Sequence, residues 1–364
     1  MKLEIADLVD LARGAALLGT GGGGDPYSGR LFAAQMIREY GAPEVVRVED
    51  LPDDANCFIA AAMGAPTVLV EKLMDPVAAD LVIAEMERIT GRRCDYILPA
   101  EIGGINSTYP IAVAARLGLP VIDADGMGRA FPEIQMVTYN VYGVPISPVV
   151  ITNDHHESAV IRSDNPKSAE DIGRAVAIRM GLAVTMSGYP MTGADVKRTA
   201  VRGTLSLARG IGRAIAEGRH QGDPVETLFA YLRTTEYYNK CGLLFDGKVV
   251  DLLRETTRGF SIGRCILESL DGSGRRMEVQ FQNEHLVARD ENGVRAIVPD
   301  LIAILDRETE EPITTEGLKY GQRVKVIGIS APPTMRTPEA LACFGPHAFG
   351  LDDPFQPIET LIKE

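Results

Sequence analysis

Residues 123–133 read Asp-Ala-Asp-Gly-Met-Gly-Arg-Ala-Phe-Pro-Glu and follow the apolar run Leu119-Pro120-Val121-Ile122. Three carboxylates, one guanidinium and two glycines therefore crowd the tip of an expected buried strand. Like charges repel, and partial burial raises the free energy of each ionised group, so such a tip points to a reaction site. On that reading Asp125 is a general base and Arg129 clamps a substrate carboxylate in bidentate fashion. Asp123 and Glu133 then hold ring N–H groups or orient a water. The competing reading is an internal ion pair of Arg129 with one carboxylate, fixing the loop to its neighbour.

Other stretches could join this chemistry. Glu101-Ile102-Gly103-Gly104-Ile105-Asn106 sets an acid and an amide around two glycines at another strand end, as a site or as a loop cap. Gly21, Gly22, Gly23 and Gly24, followed by Asp25, lose much chain entropy on ordering, so a mere connector would seldom use them. Their amides could form an anion nest leading into a helix near Ser28, or the run is a tight turn between two helices. No Gly-Lys-Ser/Thr follows, and a helix rather than a strand precedes, so neither nucleotide fingerprint is met. Asn283 and Glu284 could hydrogen-bond a polar heterocycle, or pair across a barrel. His347 could transfer a proton, or lie on the surface.

His155-His156 would point to opposite faces of an extended segment, so they read as loop histidines rather than a metal pair. No cofactor is expected, and a divalent metal finds no supporting spacing such as H-E-x-x-H. The cysteines, Cys57, Cys94, Cys241, Cys265 and Cys343, are odd in number and never form a C-x-x-C pair. That speaks against a disulfide framework or zinc cluster, and a buried inert thiol is the default even for Cys241 and Cys343.

These residues need a scaffold. Apolar residues recur at helical spacing in Ile5–Leu18, Leu31–Tyr40, Val77–Ile89 (stopping at Gly91) and Ile111–Leu117 (stopping at Gly118). Cys57–Ala62, Tyr96–Leu98 and Val121–Ile122 have buried-strand length. This alternation predicts a three-layer α/β domain over residues 1–165 with a mostly parallel sheet. The loops at Met63–Pro66, Glu101–Asn106 and Asp123–Glu133 should then converge at the carboxyl edge of that sheet. Ser163–Pro166 reads as a linker, with a helix start at Ser168. Residues 166–364 are predicted as a helical connection (Ala169–Met180, Thr204–Glu217, Val225–Leu232) followed by a barrel-like β domain with strands over about 243–330. Asp246-Gly247, Asp271-Gly272 and Asn292-Gly293 are its expected hairpin turns, between the β-rich runs Val249–Leu253, Met277–Phe281, Ala296–Leu305 and Arg323–Ile329.

Composition sets outer bounds. At 364 residues the chain can hold two domains, and its formal net charge of -13 disfavours nucleic acid or an anionic membrane as partner. The acidic N-terminus lacks a signal-peptide pattern and no apolar run reaches the ~20 residues of a membrane helix, so a cytoplasmic location is expected.

Gly19–Tyr27, Met63–Pro66 with Glu71-Lys72, Glu101–Asn106, Asp123–Glu133, Pro190–Gly193, Phe281–Glu284, Pro299–Ile302 and Gly345–Asp352 occur in this order. Together they resemble the S-methyl-thiohydantoin desulfurase family over nearly the full length. Where the family's last motif usually carries arginine and an aromatic, this chain has His347 and Leu351. The resemblance implies an α/β N-terminal domain, a C-terminal β-barrel and a hydrolase that replaces the S-methyl group of a thiohydantoin by oxygen. Asp125 would be the base, Glu133 or Glu101 would hold ring nitrogens, and Arg129 with the Gly21–Gly24 amides would hold a carboxylate. The expected partners are a small heterocyclic substrate and further copies of the chain. The alternatives are a non-catalytic ligand-binding or regulatory subunit beside a hydantoin-opening enzyme, and nucleotide binding at the glycine run.

Overall fold

Four helices begin with an Asx-Pro pair: Pro26–Tyr40, Pro76–Thr90, Pro166–Arg179 and Pro224–Arg233. In each, the Asx side chain accepts a backbone N–H of the first turn: Asp25 from Tyr27, Asp75 from Val77, Asn165 from Ser168 and Asp223 from Glu226. Proline at the next position loses nothing, since that N–H has no helical partner. The third of these helices thus starts at Pro166, capped by Asn165, rather than at Ser168. The computed structural model describes residues 2–257 and 260–362.

Helix Asp7–Leu18 buries Leu8, Leu11, Ala15 and Leu18 and packs along helix Thr204–Gln221. A Cβ on Gly14 would lie 1.7 Å from the Ala208 carbonyl oxygen, and one on Gly212 1.8 Å from that of Asp10. The two backbones touch, and only hydrogen fits between them.

Strands Val45–Val46, Val121–Ile122, Tyr96–Leu98 and Asn56–Ile59 lie side by side in parallel. Met191–Thr192 joins antiparallel at the edge. Past Ala60 the chain enters a second strand, Ala61–Gly64, where a loop was expected from Met63. That strand belongs to an antiparallel sheet with Ala183–Ser187, Val149–Thr152 and Ser158–Ile161. Periodicity misses it because a four-residue run with glycine at its end carries almost no pattern.

The mixed architecture holds in the C-terminal half too, where seven antiparallel strands curl into a half-barrel. Asp271-Gly272 and Asn292-Gly293 turn between strands as expected, but Asp246-Gly247 lies inside the long strand Cys241–Thr257. Bulges at Leu243/Phe245 and Val249/Asp251 flank it, so the pair bends the strand without ending it. The run Ala296–Leu305 is cut at Val298-Pro299-Asp300 into the strands Gly293–Ile297 and Leu301–Asp306, because proline cannot donate to a ladder. Among the described residues, no helix is long and apolar enough to cross a membrane.

Candidate functional site

The carboxyl ends of the parallel strands open onto a cavity of about 100 Å³. Benzene fills an apolar cavity of about 150 Å³, so this space suits one small ring rather than a nucleotide. Ile59 and Ala61–Gly64 form one wall where the chain passes between sheets. Glu101, Ile105 and Asn106 come from the loop after Tyr96–Leu98, and Met127 and Phe131–Ile134 from the acidic loop. Gly23 and Gly24 arrive from the glycine run, and Asn283 and Glu284 from the half-barrel. Stretches distant in sequence therefore meet in one place.

Two carboxyl groups dominate the wall. Glu101 Oε1 accepts a hydrogen bond from Asn106 Nδ2 at 2.8 Å. Asn106 is itself clamped to strand Ala61–Gly64, accepting from the Ala62 amide and donating to the Ala62 carbonyl. Glu284 Oε1 accepts from the Gly23 amide at 3.2 Å. The second oxygen of each, Glu101 Oε2 and Glu284 Oε2, is buried with no hydrogen-bond partner among the described residues. Burial pushes Glu101 up to about 8, with nearby Asp125 adding to the shift and the Asn106 bond opposing it. Burial raises Glu284 well above the usual carboxylate range; the Glu101 charge adds to this and Arg129 opposes it. Each buried oxygen left without a partner costs about 1–3 kcal/mol, so this pair is retained at a price in stability.

Asp125 stands behind this wall. Its Oδ2 accepts from the amides of Ile102 (3.0 Å), Met127 (2.9 Å) and Gly128 (2.8 Å), which fold the acidic loop around it. Burial lifts its carboxyl to about 7, and these amides work against that rise. Asp123 accepts from the Ser206 amide at 3.1 Å and from the Ser206 hydroxyl, in the first turn of helix Thr204–Gln221. Glu133 reaches the cavity, but its oxygens bind Lys167 Nζ at 2.8 Å and the Gln135 amide. Asp25 only caps its helix.

Arg129 is completely buried and spends every N–H on the protein. Nε donates to the Ala130 carbonyl, Nη1 to those of Pro299 (3.2 Å) and Asp300 (2.9 Å), and Nη2 to Thr20 Oγ1 (2.7 Å) and the His285 carbonyl (3.0 Å). Its face lies 4.8 Å from the Phe131 ring centroid. Burial lowers it to about 10, opposed by the charges of Glu284 and Asp300. A guanidinium has five donors, and none is left for a substrate. Arg129 is a staple between the acidic loop, the glycine run and the half-barrel. The expected carboxylate clamp is corrected accordingly, as is the ion pair with a loop carboxylate, since its partners are carbonyls.

The glycine run is wedged between the half-barrel and the Glu101–Asn106 loop. The Gly21 carbonyl accepts from the Thr315 amide at 2.8 Å, and the Gly23 carbonyl from the Ile105 amide at 2.9 Å. A Cβ on Gly22 would fall 2.1 Å from Glu284 Oε1. The carboxylate met by the Gly23 amide is the protein's own Glu284. A Gly22→Ala protein is therefore expected to lose about 1–3 kcal/mol through overpacking. Denaturant melts would show this, and truncating Glu284 to alanine in the same chain should recover part of the loss; additive losses would refute the contact.

Residues 6–163 match the S-Me-THD-like N-terminal domain and residues 163–358 the S-Me-THD-like C-terminal domain. The chain belongs to the S-Me-THD-like family. A crystal structure of a protein from Chromobacterium violaceum superposes with a TM-score of 0.83 at 29% identity, covering 98% of this chain and 100% of that one. No curated protein matches.

Other sequence candidates lie away from the cavity. His347 is exposed, with Nδ1 2.9 Å from the Leu351 carbonyl oxygen. His156 Nε2 sits 2.9 Å from Asp75 Oδ2 on the surface. Burial raises both the Cys241 and the Cys343 thiol to about 11, far from a thiolate nucleophile at neutral pH. Among the described residues no group of three His, Cys, Asp or Glu side chains is arranged to hold a metal. Sequence reasoning missed Arg174 and Tyr189, which line the cavity. The Glu170/Arg174 spacing marks a helix-face ion pair, but nothing in it tells that Glu170 is buried.

Proposed function

We propose that this protein hydrolyses a small five-membered cyclic amide, with an S-methyl-thiohydantoin as the substrate class. The supporting observation is the Glu101–Glu284 pair: two buried carboxyls, each with an unpartnered oxygen, on the wall of a cavity the size of one ring. Buried carboxyls with raised pKa values serve near neutral pH as acid and base, and two coupled groups divide the roles by holding protons differently.

In this reading Glu284, buried and facing the Glu101 charge, holds a proton, and Glu101 acts as base once ionised. Water attacks the ring carbon that bears sulfur, and Glu101 takes one of its protons as the C–O bond forms. Glu284 gives its proton to the adjacent ring nitrogen, which receives the C=N electron pair. The tetrahedral intermediate then collapses: its hydroxyl proton returns to Glu284, the C–S bond breaks and methanethiolate takes the proton from Glu101. Hydantoin and methanethiol leave, and both carboxyls regain their starting states.

The test is to incubate the purified protein with an S-methyl-thiohydantoin and follow methanethiol with a thiol reagent and hydantoin by chromatography. Because Glu101 must lose its proton, the rate is expected to climb with pH through about 8 rather than level off above 5. An acid limb near 4–5 would remove Glu101 from the role. Tight binding without turnover would favour the non-catalytic binding subunit instead.

A further inference from the structure

Helix Pro166–Arg179 places Arg174 on the cavity wall, the one cationic side chain there among the described residues. Its Nε donates to Glu170 Oε1 at 2.7 Å, and Nη2 meets the same oxygen at 2.7 Å. Nη2 also donates to the Pro132 carbonyl at 2.9 Å. Phe260 covers one face, its ring centroid 4.7 Å from Arg174 Cζ. Guanidinium donors lie in the plane of the group, so stacking and one occupied edge leave a defined remainder. That remainder is Nη1, which has no hydrogen-bond partner among the described residues.

The guanidinium is held rigidly by Glu170, Pro132 and Phe260, and its side chain is only 12% exposed. Glu170 is itself satisfied, since its other oxygen accepts the Ile134 amide at 3.1 Å. Around the cavity, Glu101 and Glu284 are held toward their neutral forms and Glu133 is paired with Lys167. A guanidinium donor left unused on the cavity wall, on a group already fixed in place, offers a carboxylate a charge-assisted hydrogen bond.

We propose that Arg174 is a specificity-determining residue: through Nη1 it binds a carboxylate carried on the substituent of the ring substrate. This rests on the ring-hydrolysis reading above, and goes beyond it by assigning the substrate an acidic side arm. The role first expected of Arg129 falls to a different arginine, one that still has donors to give.

Calorimetric titration of the full-length protein with hydantoin-5-acetic acid and with its neutral amide tests this. One charge-assisted hydrogen bond corresponds to a preference of about 10–100-fold for the acid. In a Glu170→Gln/Arg174→Gln protein, built so that no buried charge is left unpaired, the ratio should collapse toward one. Arg174→Lys should keep part of the preference, because the charge remains while the flat edge is lost. Equal affinity of the native protein for the two compounds overturns the proposal and leaves the ring chemistry standing, a result independent of whether either variant folds. A preference that survives in the double variant overturns it as well. If neither compound binds the native protein, the ring reading and this one fall together.

Discussion

An Arg129→Met protein is expected to be destabilised by more than about 4 kcal/mol, and to be largely unfolded where the native chain is stable. Methionine approximates the volume but strands the carbonyls of Ala130, Pro299, Asp300 and His285 and the hydroxyl of Thr20. Each buried polar group left without a partner costs about 1–3 kcal/mol, against a total stability of about 5–15 kcal/mol. Water restores these bonds only if the packing opens, which is itself a cost. Arg129→Lys should recover little, because three donors on a point cannot serve acceptors spread around a plane. Urea melts by circular dichroism measure the loss. A substrate clamp would behave in the opposite way, with normal stability and a raised KM, and that result would restore the role first read from the loop.

Glu101→Gln and Glu284→Gln should each lower turnover by about 10²–10⁴-fold, the usual worth of a general acid or base. Both should also stabilise the protein at high pH. Burial raises the folded-state pKa of each carboxyl above the ~4.3 of an unfolded chain. Protonation therefore favours the folded state: its contribution is complete below about 4.3 and is lost as pH rises through the folded value, about 8 for Glu101. Glutamine does not ionise, so the variants should melt above the native protein at pH 9 and lose that advantage at pH 5. Thermal melts at the two pH values, beside the methanethiol assay, separate this from ordinary damage. A variant that is slower and also less stable at pH 9 would mean the carboxyl is structural.

How much of this was legible beforehand differs by level. The apolar spacing of Asp7–Leu18 and Pro76–Thr90, with its stop at Gly91, places those helices within a few residues of where they lie. The convergence of the 101–106 and 123–133 loops follows from strand polarity, because parallel strands send their carboxyl ends to one edge. The division of labour inside the acidic loop was not legible. Asp123, Asp125 and Glu133 are the same chemistry in a string, yet one caps a helix, one folds the loop and one pairs with Lys167. Which oxygen is left unpaired depends on amides supplied from elsewhere in the chain.

The sequence alone determined the family, through motifs in order along the chain, and the gathering of glycines and acids at strand ends. Each such motif is a run of neighbours within a turn or a strand length. Tertiary structure alone decided that Arg129 is spent while Arg174 has a free edge, and that Glu284 approaches Glu101 across nearly two hundred residues. The physical reason is that burial and hydrogen-bond satisfaction are properties of surroundings: a carboxyl or a guanidinium acquires its role from the donors, acceptors and apolar atoms that folding sets against it.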